Sequence, residues 1–90
     1  MNYQTIKTHL ERAHALLIET GHDLDLHELG AFSPTLNRKD FRMATAILEE
    51  CGAATPVSSE FWRELLEAAR ELELPRAVAR IEKQLKLCGE

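Results

Sequence analysis

Apolar residues recur at steps of three and four along most of this chain. Tyr3, Ile6, Leu10, Ala13 and Leu17 fall at that spacing, which places them on one side of a helix. The stretch predicts a helix over 3–20, with Asn2 as its cap and Gly21 ending it in the left-handed conformation. Leu16 and Ile18 widen its apolar surface beyond one stripe, so this helix is expected to be contacted on two sides, the alternative being that some of that surface awaits a partner. Residues 22–36 are less regular. Asp25 followed by Glu28 fits a capping box, and Leu26, Leu29 and Phe32 form the apolar side of a short helix. Ser33-Pro34 marks a turn. The next helix is predicted over 37–51, capped by Asn37 and stopped by Gly52, with Phe41, Ala44, Ile47, Leu48 and Cys51 buried. Pro56 makes 53–57 a linker.

The 58–72 stretch carries two apolar registers: Trp62, Leu65, Ala69 and Leu72, and Phe61, Leu65, Ala68 and Leu72. Together they form a stripe wider than a two-helix seam needs, which predicts a central helix with two or more neighbours. Leu74-Pro75 breaks the chain. Val78, Ile81, Leu85 and Cys88 then give the last helix its seam, and Gly89 ends it. So short a connection predicts an αα-hairpin. Nothing alternates with period two for more than a few residues, and no internal repeat occurs. The expected fold is all-α: a bundle of four main helices plus one short helix, ending in an αα-hairpin, as a single helical domain over 1–90.

Composition narrows the function. At 90 residues, one core leaves only roughly 3 to 5 kcal/mol of net stability, so a partner or self-association would matter to the fold itself. The 44% apolar content excludes a disordered chain. A net charge of −4 argues against nucleic-acid or membrane binding driven by overall charge. No signal-type run or membrane-length stretch is evident, so a cytoplasmic protein is expected. Cys51 and Cys88 both fall on apolar faces and read as buried small hydrophobes; a bridge between them is the alternative.

Catalytic and metal chemistry find little support. His9, His14, His22 and His27 lie near Asp23, Asp25 and Glu28, but His9 and His14 do not share a helix face, and neither HExxH nor CxxC occurs. Cys51 has no histidine near it in sequence, no Gly-rich phosphate loop is present, and Glu49-Glu50 reads as a helix-surface pair with no cleft. The expectation is no enzyme, no metal and no cofactor.

Charge placement is more informative. Arg38, Lys39 and Arg42 sit at the start of the 37–51 helix, and Glu49 and Glu50 near its end, the reverse of what the helix dipole favours. Arg76, Arg80 and Lys83 form a second basic stripe. These six residues are the candidate partner-binding surfaces. The expected function is a small protein-binding module: a regulator, adaptor or inhibitor, of the kind that phages and other mobile elements also carry. The alternative is a helix-turn-helix DNA-binding regulator using helix 37–51, since LDLHELGAF, SPTLN and RKDFRMATAILEECG have that outline, with Asn37, Arg38, Lys39, Arg42 and Thr45 toward the groove. Self-association as a homodimer through the 3–20 or 58–72 helix is compatible with either.

Overall fold

The computed structural model describes residues 2–21 and 24–89. Four long helices and two short ones account for its regular structure, with no strand among the described residues. They are α1 (Tyr3–Thr20), α2 (Leu26–Leu29), α3 (Phe32–Asn37), α4 (Phe41–Ala53), α5 (Ser59–Glu71) and α6 (Pro75–Leu87). The all-α expectation is met, and the single short helix is resolved into two.

The wide apolar stripe of α5 makes it the centre of the bundle. Phe61, Trp62, Leu65, Leu66, Ala68 and Ala69 are all buried, and α5 packs on α1, α4 and α6. Phe61 and Trp62 meet edge to face, ring centroids 4.8 Å apart. From α1 come Ile6, Leu10, Ala13 and Leu17, the predicted stripe with only Tyr3 left exposed. Of the two residues that widen it, Leu16 packs against the core while Ile18 stays 51% exposed. Helix α4 buries all five residues expected of it, and Thr45 and Gly52 as well.

Several local expectations are corrected. Gly21 ends α1 in an extended conformation (φ −77°, ψ 151°), not a left-handed one. Ser33-Pro34 is not a break; it lies in the first turn of α3, where a missing amide hydrogen loses no helical bond. Asn37 belongs to the end of α3, and the cap of α4 is Asp40, whose carboxylate accepts from the Met43 amide at 3.2 Å. The helix predicted over 37–51 therefore begins at Phe41, and it runs on through Gly52 to Ala53. Gly52 is small because α5 lies against it: a Cβ there would stand 2.7 Å from Phe61 Cζ and 3.3 Å from the Trp62 ring. Cys88 is exposed at the end of α6 while Cys51 is buried, and both are free thiols.

Two helices end in the left-handed conformation without glycine. Lys39 (φ 63°) follows α3 and Glu73 (φ 56°) follows α5. At each, the next amide donates back five residues, Asp40 to Thr35 O at 3.2 Å and Leu74 to Ala69 O at 3.0 Å. Both are Schellman closures, which turn the chain sharply and send it into the next helix. The second makes the expected αα-hairpin of α5 and α6. Across that hairpin Arg70 of α5 reaches Glu82 of α6 at 3.5 Å.

Candidate partner-binding groove

Helices α4 and α6 both pack on α5, and an open groove of about 510 Å³ runs between them and under the α5–α6 turn. Arg42 and Glu49 reach it from α4, seven residues and so about 10 Å apart along one side of the helix. Arg76 and Arg80 reach it from α6, one turn apart. Ala46, Leu74, Pro75 and Ala77 supply apolar walls. The two basic stretches, 34 residues apart in sequence from Arg42 to Arg76, thus meet at one site.

Within the groove one ion pair is already made. Arg80 Nε donates to Glu49 Oε2 at 2.6 Å and Nη2 to Oε1 at 3.0 Å, a two-pronged grip of a carboxylate. That hydrogen bond, with the carboxylate charge beside it, holds the Arg80 guanidinium even more firmly protonated than usual. Glu49 is the more enclosed partner, its side chain 16% exposed against 58% for Arg80. Arg42 and Arg76, both exposed, make no ion pair or side-chain hydrogen bond among the described residues.

The groove continues past Arg42 toward the start of α1. Lys39, Asp40 and Glu73 line its next section with Tyr3, which stacks on Phe41 at 5.6 Å, and Lys7 borders the section beyond. This connected face carries five basic residues, Lys7, Lys39, Arg42, Arg76 and Arg80, against three acidic ones, Asp40, Glu49 and Glu73. The remainder of the chain holds six basic and twelve acidic residues. A locally positive face therefore sits on a negative molecule. The two left-handed non-glycine residues, Lys39 and Glu73, both border it, the kind of backbone position that clusters at binding sites.

Not every predicted residue is gathered there. Arg38 lies in the α3–α4 turn with Nη2 donating to Thr35 Oγ1 at 3.3 Å, and Lys83 is exposed on α6; neither lines the groove. Of the five residues expected to face a DNA groove from one helix, only Arg42 and Thr45 lie on α4, and Thr45 is buried with its hydroxyl donating to Phe41 O at 2.8 Å. Sequence reasoning missed Glu49, taken for an ordinary helix-surface acid, and the walls built from Leu74, Pro75 and Ala77. The usable signal was the seven-residue spacing of Arg42 and Glu49 beside a hairpin whose second helix starts with Arg76 and Arg80.

The other candidate chemistry is structural. His9 Nδ1 donates to Glu64 at 2.6 Å, with Arg12 3.9 Å from the same carboxylate. His14 stacks on Phe32, centroids 4.6 Å apart, and partial burial lowers its pKa. Asp25 caps α2 as expected, its carboxylate accepting from the Glu28 amide, while the Glu28 side chain shares a hydrogen bond with Glu50 that raises the Glu28 pKa. Burial, followed by the charges of Glu28, Asp25 and Glu50, pushes the Cys51 thiol up to about 11, far from nucleophilic readiness. No group of three metal-ligating side chains converges among the described residues; His22 and Asp23 lie outside them. No helix is long and apolar enough to cross a membrane, among the described residues. No protein-family model, curated protein or solved structure matches the chain.

Proposed function

We propose that this chain is a small non-enzymatic protein-binding module whose contact surface is the α4–α6 groove. The observation that carries the reading is the meeting of Arg42 and Arg76, each without a partner among the described residues, in one groove with apolar walls. Guanidinium forks set against apolar surface are the side chains that interfaces favour. A bundle of this size has little stability to spare, so binding would also add to the stability of the folded state. Of the six candidate residues, Arg42, Arg76 and Arg80 form the centre of this surface and Lys39 its extension, and Arg38 and Lys83 lie outside it.

The test is capture of partners by the tagged protein from its native host, at about physiological salt, with and without nuclease. The expected result is one dominant protein that survives nuclease and is lost when Arg42 and Arg76 are both changed to Glu. Recovery of DNA alone, and only when nuclease is omitted, would replace the reading with nucleic-acid binding.

A further inference from the structure

We infer that the groove accepts a carboxylate-bearing segment of the partner protein, and that Glu49 occupies Arg80 as an internal stand-in for one of that segment's carboxylates. This rests on the reading of the groove as the contact surface and adds the chemistry of its occupant.

The groove itself shows how a carboxylate is bound in it. Glu49 is gripped by Arg80 through two donors at 2.6 and 3.0 Å, the fork geometry by which arginine recognises a planar carboxylate. Arg76 stands one helical turn from Arg80, and Arg42 lines the groove from the opposite helix, with no acid on either among the described residues. One of three arginines is satisfied from within, and two wait on acids from outside. The walls between them are Ala46, Leu74 and Ala77, so the fitting segment sets an apolar side chain among its acids.

A polyanionic backbone fits less well. Glu49 and Glu73 stand in the groove, and eight basic against thirteen acidic residues outside it repel a long duplex. A short acidic peptide places charge only where the arginines are. The Arg80 side chain is 58% exposed, so water screens its bond to Glu49 and exchange for an incoming carboxylate costs little. Glu49 thus keeps Arg80 ordered while the site is empty, and competes with the partner for it.

The probe is a short blocked peptide of alternating glutamate and leucine, added to the 15N-labelled protein and followed by NMR. Controls are the glutamine–leucine peptide, inorganic phosphate and a short DNA duplex. The glutamate peptide is expected to move the side-chain Nε–Hε signals of Arg42, Arg76 and Arg80 and the amides of Ala46 and Ala77, and the glutamine peptide to leave them in place. Glu49→Gln frees Arg80 and is expected to tighten the glutamate peptide by about two- to fivefold, the yield of one partly exposed ion pair. Unchanged or weaker binding by Glu49→Gln would overturn the stand-in role. Phosphate or DNA moving the same signals at lower concentration than the peptide would overturn the carboxylate assignment. Signals that move with protein concentration alone would make the occupant a second copy's acidic surface, and overturn a separate partner. A natural partner that needs Arg42 and Arg76 yet is not displaced by the glutamate peptide would defeat this inference and leave the groove reading standing; a partner indifferent to Arg42 and Arg76 would defeat the groove reading itself.

Discussion

Arg80 holds Glu49 across the groove by two hydrogen bonds, 2.6 and 3.0 Å long, joining α6 to α4 at a place where those helices otherwise pack on α5. A pair with one partner this exposed contributes about 0 to 1 kcal/mol, and its two-pronged geometry and the more enclosed Glu49 set it toward the upper end. Arg80→Ala and Glu49→Gln should therefore each lower the melting temperature by no more than roughly 4–8 °C, the shift of one kcal/mol in a domain this small. A larger loss on thermal unfolding would mean that the pair is a structural clamp, not an exchangeable contact.

The contact of Gly52 with α5 makes a firmer stability prediction. Alanine at this position gains about 1 kcal/mol of helix propensity. Its Cβ would meet the Phe61 ring, 2.7 Å from Cζ, and Phe61 is fully buried. Overpacking of this kind costs typically 1–3 kcal/mol. Gly52→Ala should be net destabilising in chemical denaturation, by up to about 2 kcal/mol, with the near-UV signal of Trp62 altered. A stabilised variant would show that α4 and α5 are not so close.

Most of the bundle was legible in the chain. The periods of α1, α4 and α5 named nearly every buried residue, because each of those helices buries a broad apolar face and period-3.6 patterning reports that directly. In α6 the signal was weaker. Ile81 is buried as expected and Cys88 is not, since only α5 is a major packing partner of α6 and Cys88 lies past its last helical residue. What escaped was the punctuation. Asn37 and Asp40 are both good caps three residues apart, and nothing local decides between them; the choice falls on Asp40 because α3 extends through Asn37. The closures at Lys39 and Glu73 were invisible because neither residue advertises a left-handed backbone as glycine or asparagine does. Missing them placed Arg38 and Lys39 on a helix they do not belong to, and hid the fact that Arg42 lines one groove with Arg76.

Those closures can be relieved. A left-handed non-glycine residue costs about 1–2 kcal/mol, partly offset by the extra freedom glycine brings to the unfolded chain. Lys39→Gly and Glu73→Gly should each stabilise by about 0.5–1 kcal/mol. Lys39→Val should destabilise, because a β-branched residue tolerates this conformation least. Melting curves of the three variants check both signs. No gain from either glycine variant would show that these turns are not left-handed in solution.

Acid should find His14. Its folded-state pKa lies below the ordinary 6.5 because burial beside Phe32 penalises the charged ring. Below pH of about 6.5 the unfolded chain takes up the proton more readily than the folded one, so stability falls as pH drops through that value toward the lowered pKa. Above it the His14 contribution to stability is constant. His14→Gln should flatten this part of the stability–pH curve measured by urea unfolding between pH 7.5 and 5, and an unchanged slope would place the titrating group elsewhere.

The most direct test of the groove compares two variants of equal net charge. Arg42→Glu with Arg76→Glu reverses the two groove arginines; Arg38→Glu with Lys83→Glu reverses two basic residues outside the lining. Affinity for the captured partner is measured for both by calorimetry at about physiological salt. The groove account predicts that the first pair weakens binding at least about a hundredfold, as loss of two interface arginines does, and that the second leaves it within a few-fold. Equal losses from the two pairs would show that overall charge, and not the meeting of Arg42 with Arg76 between α4 and α6, brings the partner to this protein.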